Sequence, residues 1–291
     1  MKLTALMPAR NEEWVIGLSL RAALQWVDEV IVLAHACTDK TISICRKADK
    51  DRVIVSEDDN STWDEMTHRQ RMLETARKRG ATHIAIIDAD EVLTANLVPA
   101  MRKHVAALTP GTILQLPGYN LRGGVHQYHS TGIWSNRWFS VAFLDTAQLR
   151  WSGDRFHHRD PMGMTVRYKK LGPHGMGGMM HLWGADERRL TAKHALYKIT
   201  ERIRWPEKPV QQIDRLYNLA ITGQPGDAAA SWKYAAVPLD WWRDYRDIIE
   251  HLNMAGEPWQ EAECQRLIEK HGAETFADLD LFGVVKEAVA A

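Results

Sequence analysis

The sequence predicts an α/β fold: a doubly wound, mostly parallel sheet with a helical C-terminal extension. Three observations point there. Four short apolar runs in the first 93 residues alternate with helix-like segments, and a β-α-β-α-β-α-β order implies parallel strands joined by right-handed crossovers. The run Ile84-Ala-Ile-Ile87 is apolar throughout and stops abruptly at Asp88-Ala-Asp90-Glu91, which suits a strand buried on both faces that has reached the sheet edge. From Asp186 onward the patterns turn helical, over about 186–204, 209–222, 240–254, 258–271 and 274–289.

Taken in order, Lys2-Leu-Thr-Ala-Leu-Met7 reads as the first strand, ended by Pro8, which has no N–H to give a ladder. Ala9 to Glu13 is a polar loop. From Glu12 to Trp26, Val15, Ile16, Leu18, Leu20, Ala23 and Leu24 roughly follow a helical stripe. Glu29-Val-Ile-Val-Leu33 is the second strand, and Thr38 or Asp39 caps a helix reaching about Ala48. Arg52-Val-Ile-Val-Ser56 is the third strand. A charged helix from Trp63 to Arg79 stops at Gly80, and the Ile84 strand follows. Ala95 to Leu108 is helical and Gly111 to Leu116 a strand. Residues 117–180 are rich in Gly, His, Trp and Arg, with short strands such as Arg137-Trp-Phe-Ser-Val-Ala-Phe143. A domain of residues 1–185 is expected, with a helical region of 186–291 packed on it.

Composition excludes little. The 291 residues carry 37 basic and 37 acidic side chains, a balance that argues neither for nor against a polyanionic partner. The 3 cysteines have no metal-ligand spacing and suit a reducing compartment. No secretory signal is expected, and no apolar run nears the ~20 residues of a membrane helix. A cytoplasmic protein without a transmembrane segment is the expectation.

Asp88 and Asp90 stand at the carboxyl end of a buried strand, where open α/β sheets bind ligands. Carboxylates there suit a hard divalent cation, and Mg²⁺ takes one or two of them and completes its shell with water and substrate phosphate. Alone, an Asp-x-Asp pair is also ordinary turn chemistry.

Three motifs in order carry a resemblance: Met7-Pro-Ala-Arg-Asn-Glu-Glu13 after the first strand, Val30-Ile-Val-Leu-Ala-His-Ala-Cys-Thr-Asp-Lys-Thr41 around the second, and Ile87-Asp-Ala-Asp-Glu91 after the fourth. Together they resemble the nucleotide-sugar-binding half of glycosyltransferase family 2, and the fold so implied is GT-A-like. The resemblance implies that Pro8, Arg10, Glu12, His35, Asp39 and Asp88 bind the donor nucleotide. It implies that Asp88 and Asp90 meet Mn²⁺ or Mg²⁺, and that a sugar passes from a nucleotide-diphosphate donor to an acceptor hydroxyl with inversion. His35 stands where many relatives carry a carboxylate, so uridine, guanosine and thymidine donors all stay open. Glycan, lipid-linked and small-molecule acceptors fit equally, and a modified nucleic-acid base is a less usual one.

An inverting transfer needs a general base. In Arg150-Trp-Ser-Gly-Asp-Arg-Phe-His-His-Arg-Asp160 the candidates are Asp154 and Asp160, with His157 behind them. The histidines of the middle segment lack the compact helical spacing of zinc hydrolases. Gly172-Pro-His-Gly-Met-Gly-Gly178 reads as a lid, or simply as glycine-rich turns. In the helix capped by Asp186, Ala192, Leu196, Ile199 and Ile203 form the buried stripe, while Arg189, Lys193 and Tyr197 share another face. His181 is expected as a third metal ligand, and Arg189 and Lys193, with Arg188 as substitute, as contacts of the leaving diphosphate. A solvated basic face is the plain alternative. Two other functions compete: a nucleotidyltransferase, although the first loop lacks phosphate-loop glycines, and a catalytically inactive glycan- or nucleic-acid-binding module on the same fold.

Overall fold

The computed structural model describes residues 1–285. The chain forms two compact units, and each is assembled from separated segments. The first comprises Met1–Tyr119, Asn136–His181 and Pro238–Met254. The second comprises Asn120–Ser135, Leu182–Val237 and the chain from Ala255 on. One change of unit, at His181, falls close to the boundary expected near residue 185; the other changes have no counterpart in the two-part division read from the sequence.

The first unit is built on four parallel strands. β1 (Leu3–Ala9), β2 (Glu29–His35), β3 (Val53–Asp58) and β4 (His83–Ile86) stand in the order β3-β2-β1-β4. Between them run α1 (Ile16–Ala23), α2 (Thr41–Ala48) and α3 (Glu65–Lys78). Strand alternation sorts the core into two layers. Leu3, Ala5, Met7, Val30 and Val32 meet Ile16 and Leu20 of α1 and Cys45 of α2 on one face. Leu6, Ile31, Leu33, Ile84 and Ile86 meet Met66, Met72, Leu73 and Ala76 of α3 on the other. The chain winds outward from β1 to β3, then crosses back to β4. β1 and β4 therefore flank the switch point, and the loops leaving their carboxyl ends border the crevice where such sheets bind ligands. β1 runs two residues past its expected end because β4 pairs with it only as far as Leu6. At Pro8 the strand is bonded on one side only, and the missing N–H breaks no ladder.

After β4 come β5 (Glu91–Leu93), α4 (Val98–Ala106), β6 (Thr112–Arg122), β7 (Gln127–His129), β8 (Arg137–Leu144), β9 (Arg167–Lys170) and β10 (Met179–Gly184). β8 lies antiparallel to β4, β6 antiparallel to β8, and β9 parallel to β6. β10 pairs antiparallel with β5. The helix expected over 240–254 is instead three short 3-10 turns at Leu239–Trp241, Arg243–Tyr245 and Ile249–His251. Tertiary anchors override local propensity there. Trp241 packs against Tyr119 with ring centroids 4.3 Å apart and the rings tilted by 51°, Tyr245 donates to Leu93 O at 2.7 Å, and Asn253 N donates to Trp14 O at 2.7 Å.

In the second unit α5 (Glu187–Arg204) starts as predicted, with Asp186 accepting from Arg189 N at 2.7 Å. Leu196 and Ile199 pack against Ile213 and Tyr217 of α6 (Val210–Asn218) and against Cys264 and Ile268 of α7 (Trp259–His271). The short strands β11 (Gly223–Gln224) and β12 (Asp227–Ala228) pair with each other, and β13 (Tyr234–Ala236) pairs with β7. In place of a helix over 274–289 there is a 3-10 turn at Ala273–Phe276 and then irregular chain, with Phe282 at φ 58° and Gly283 at φ 70°. Lys198, fully buried, draws that chain in by donating to Asp280 O at 2.5 Å. Residues 286–289 of that expected helix lie outside the described residues. No helix among the described residues is long and apolar enough to cross a membrane.

Candidate active site

The turn joining β4 to β5 and the first residue of β5 carry three acidic side chains, and a buried cation organises them. Arg159 donates through Nη1 and Nη2 to Glu91 Oε1 and Oε2, each at 2.7 Å. Its Nη1 also reaches Asp88 Oδ2 at 3.1 Å, while Nη2 and Nε donate to Ile86 O at 2.7 Å and Ser140 O at 2.6 Å. Arg69, on α3, donates to Asp88 Oδ1 and to Glu65 Oε1, both at 3.1 Å. Glu91 closes the turn from inside by accepting from Asp88 N at 3.0 Å. Burial pushes the Asp88 carboxyl up, but Arg69 and Arg159 outweigh it and hold the group below the usual carboxylate range. At Glu91 burial wins over Arg159, and the carboxyl stands above its usual value. Burial works against the Arg159 cation, yet Glu91 and Asp88 more than offset it.

Asp90 points elsewhere. It is 4% exposed, and its Oδ1 lies 3.5 Å from His181 Nε2. His181 sits opposite Glu91 in the β10–β5 register, its ring edge-on to Phe139 at 5.6 Å. Among the described residues no group of three or more His, Cys, Asp or Glu side chains is arranged to hold a metal ion. The expected set of Asp88, Asp90 and His181 thus reduces to a converging pair, Asp90 and His181, with both oxygens of Asp88 turned to guanidinium groups. A pair suffices for a cation that fills the rest of its shell with water and phosphate.

The loops after β1 and β2 are bonded to each other. Asn11, buried and held at φ 53°, accepts at Oδ1 from Thr38 N at 2.7 Å and Asp39 N at 3.3 Å. Asp39 in turn accepts from Glu13 N at 3.0 Å and Thr41 N at 2.8 Å. Glu12 N donates to Thr41 Oγ1 at 2.8 Å, and Glu12 Oε2 accepts from Trp14 Nε1 at 2.7 Å. Arg10 Nη1 approaches Ser61 O at 3.5 Å, and Pro8 lies within β1. His35 ends β2 rather than sitting in a turn. It is 5% exposed and meets Asn60 O at 2.6 Å through Nε2, which the carbonyl partner makes the protonated nitrogen. Its ring lies 4.4 Å from that of His68. Burial and then Arg10 lower the His35 pKa, and the group is neutral.

The loop after β8 meets the same site. His157 N donates to Glu65 Oε2 at 2.7 Å, and Trp151 N to Gln70 Oε1 at 2.9 Å, so α3 holds the loop at two points. Asp154 lies exposed on it. Asp160 accepts at Oδ2 from Tyr168 Oη at 2.8 Å, while its Oδ1 is buried with no hydrogen-bond partner among the described residues. The glycine-rich segment is anchored: Gly178 N donates to Thr94 Oγ1 at 3.0 Å and Gly175 N to Tyr119 Oη at 2.7 Å. A Cβ on Gly178 would lie 1.9 Å from Pro117 O, so only glycine fits there.

Arg188 and Arg189 of α5 have partners within their own unit. Arg188 donates to both oxygens of Glu261 at 2.6 Å and to Glu257 at 3.4 Å. Arg189 is buried and donates to Gly256 O. Lys193 is half-buried on the same helix. Sequence reasoning missed Arg159, Arg69, Glu91 and Asn11. A signal existed for a cation, because three acidic residues within four positions at a buried edge require one, but nothing in the sequence singles out Arg159 to supply it.

Residues 4–171 match the profile described as "Glycosyl transferase family 2". No curated protein sequence matches the chain. Among solved structures, S. aureus TarS residues 1–349 gives a TM-score of 0.44 at 14% identity, covering 87% of this chain and 81% of that one. A mycobacterial protein gives 0.32 at 20% identity over 43% of this chain and 42% of its own. Glucosyl-3-phosphoglycerate synthase from Mycobacterium tuberculosis, in complex with phosphoglyceric acid, gives 0.32 at 19% identity, over 42% and 45%. The alignment thus spans less than half of either mycobacterial chain.

Proposed function

The chain belongs to glycosyl transferase family 2, and from that premise we propose that it transfers a sugar from a nucleoside-diphosphate donor to an acceptor hydroxyl, inverting the anomeric centre. The observation that carries the reading is the charge balance at the β4–β5 turn. Asp88 and Glu91 are bonded by the guanidinium groups of Arg69 and Arg159. Asp90 turns instead to His181, 3.5 Å away, and this carboxylate–imidazole pair is the one we assign to the ligand. Asp90 and His181 would hold Mn²⁺ or Mg²⁺, and Asp88, its oxygens already engaged, is left to the donor ribose. When bound, the cation supplies positive charge against the departing diphosphate, which gains negative charge as the glycosidic bond breaks.

Asp160 is the preferred general base over Asp154. One of its oxygens is oriented by Tyr168, and the other is buried and unpartnered, as an acceptor of a hydroxyl proton requires. Pro8, Arg10, Glu12, His35 and Asp39 shape the nucleotide end, with His35 acting through the Asn60 carbonyl it holds. The diphosphate role of Arg188, Arg189 and Lys193 stays a proposal, and all three side chains already have partners to exchange for it. Free thiols at Cys37, Cys45 and Cys264 favour a reducing, cytoplasmic setting.

The test is a thermal-shift screen of uridine, guanosine and thymidine diphosphates with Mn²⁺, followed by nucleoside-diphosphate release from the matching sugar donor. A ligand of the folded state raises the melting temperature. A shift without release under excess donor would mark an inactive binding module, and the absence of any shift would remove the transferase reading.

A further inference from the structure

The sheet face beside the candidate base carries polar groups whose bonding capacity the protein does not use. β9 is an exposed edge strand of sequence Arg167-Tyr168-Lys169-Lys170. Its side chains alternate between faces. Lys169 stands in register with Leu114, which faces the α1 layer. Tyr168 and Lys170 stand in register with Ile113 and Gln115 on the opposite face, where Ile113 meets the α3 layer and Gln115 Nε2 donates to Ser140 Oγ at 3.3 Å. Trp138, two residues before Ser140 on β8, shares that face. The Lys170 ammonium lies 4.6 Å from the centre of the Trp138 ring. His174 meets the same ring edge-on at 5.0 Å.

This face is level with the Asp88–Asp90 turn. β8 is antiparallel to β4, with Ala85 opposite Ala142. Ser140 and Trp138 follow beyond the last partner of β4, past a bulge at Val141. Arg159 confirms the level, bonding both Ile86 O and Ser140 O. Three atoms here lack a protein partner among the described residues. The Lys170 ammonium has only the Trp138 ring, His174 Nε2 is buried without a hydrogen bond, and Asp160 Oδ1 is likewise unpartnered. Tyr168, which orients Asp160, and Lys170 lie two residues apart on one strand face, roughly 7 Å.

We propose that Trp138, Lys170 and His174 form an acceptor subsite for a hydroxyl compound that also bears an acidic group, a phosphate ester or a carboxylate. Lys170 and His174 receive the acid, the Trp138 ring carries the acceptor's carbon skeleton, and the hydroxyl lies against Asp160 Oδ1. The inference rests on the transferase reading for the role of Asp160, and on the strand geometry for the rest. It names what that reading leaves open: of the acceptor classes, neutral glycans fit this face least.

The experiment titrates the full chain calorimetrically with glucose 6-phosphate, glucuronate, inorganic phosphate and neutral glucose. One charge-assisted contact distinguishes an acid from its neutral parent by about tenfold or more in Kd. Wild type is expected to bind at least one sugar acid that much more tightly than glucose, and the acid preferred distinguishes phosphate ester from carboxylate. Lys170→Ala should bring the ratio to within about twofold of unity, while Lys169→Ala, on the other face, keeps it. Trp138→Leu should weaken the sugar acid more than inorganic phosphate. Indistinguishable binding of glucose and both acids to wild type overturns the proposal, as does an equal loss in the two lysine variants, which would mean diffuse strand charge. Release of nucleoside diphosphate from a sugar donor is measured in parallel. If release is absent and the Lys170-dependent preference stands, the transferase reading fails and the anion subsite survives. If release occurs without any acid preference, the subsite alone fails.

Discussion

Arg159→Ala probes what holds the acidic turn in place. The substitution strips Glu91, whose side chain is 2% exposed, of both its guanidinium bonds. It also removes the donors on Ile86 O and Ser140 O and one of the two on Asp88. Deleting one partner of a buried pair costs about 3–5 kcal/mol, because the other charge stays buried and uncompensated. Water entering the vacated space satisfies the two carbonyls, so a loss of about 4 kcal/mol is expected. For a chain of this size that is a fall of roughly 8–16 °C in melting temperature. Calorimetry is the assay, because two compact units need not unfold in one transition. Arg159→Lys keeps the charge but loses the fork and should fall about half as far. The double change Arg159→Met with Glu91→Gln removes both charges and should recover more than half of the loss. A single variant within about 2 °C of wild type, or a double variant no better than the single, would refute the claim that this pair anchors the turn.

Three further outcomes follow from the site. Asp90→Asn should reduce transfer by at least ~10²-fold at unchanged melting temperature, and His181→Ala should raise the Mn²⁺ concentration needed for half activity; wild-type turnover by the first at limiting metal would sink the cation assignment. Burial, with His35 beside it, lowers His68 to about 4. An unfolded histidine takes its proton near 6.5, so between those values the unfolded chain binds more protons. Stability is therefore full above pH ~6.5 and falls towards pH ~4, by roughly 3 kcal/mol at most from this group. His68→Phe should flatten that slope in melting temperature against pH without abolishing it, because burial lowers His129 to about 4 as well; parallel curves would remove His68 from the account. Lys193→Ala should lower kcat and kcat/KM together if its ammonium meets the leaving diphosphate, and a wild-type kinetic profile would make α5 scaffold alone.

What the sequence shows, and what it hides, divides along physical lines. The strands could be read because Val30, Ile31 and Val32, and Ile84 to Ile87, are apolar on both faces, and only a buried parallel strand needs that. The cap at Asp186 and the stripe through Leu196 and Ile199 could be read because both are local. The stretch 240–254 misled because its aromatic spacing suits a helix, whereas Trp241 and Tyr245 are fixed by Tyr119 and Leu93, more than a hundred residues away in sequence. Asp88 and Asp90 could be located, but not told apart. The difference between them is made by Arg69 and Arg159, which only the folded topology brings to one edge.

The donor loops raise a related point about recognition. Asp39, Glu12 and His35 read in the sequence as groups offered to a nucleotide, yet each spends polar atoms on a neighbouring loop, and so does Asn11, which the sequence did not single out. Asp39 places one oxygen on Thr41 N and the other on Glu13 N, and Asn11 Oδ1 accepts from two backbone amides. Such side chains fix the shape of a crevice before the ligand arrives, which lowers the ordering cost of binding. If these loops hold the donor base, its selectivity depends on what they present, the Asn60 to Ser61 backbone held by His35 and Arg10 above all. A change at His35 consequently acts on the donor through the displaced loop, and His35→Gln, which can still donate to Asn60 O, should preserve donor KM better than His35→Ala.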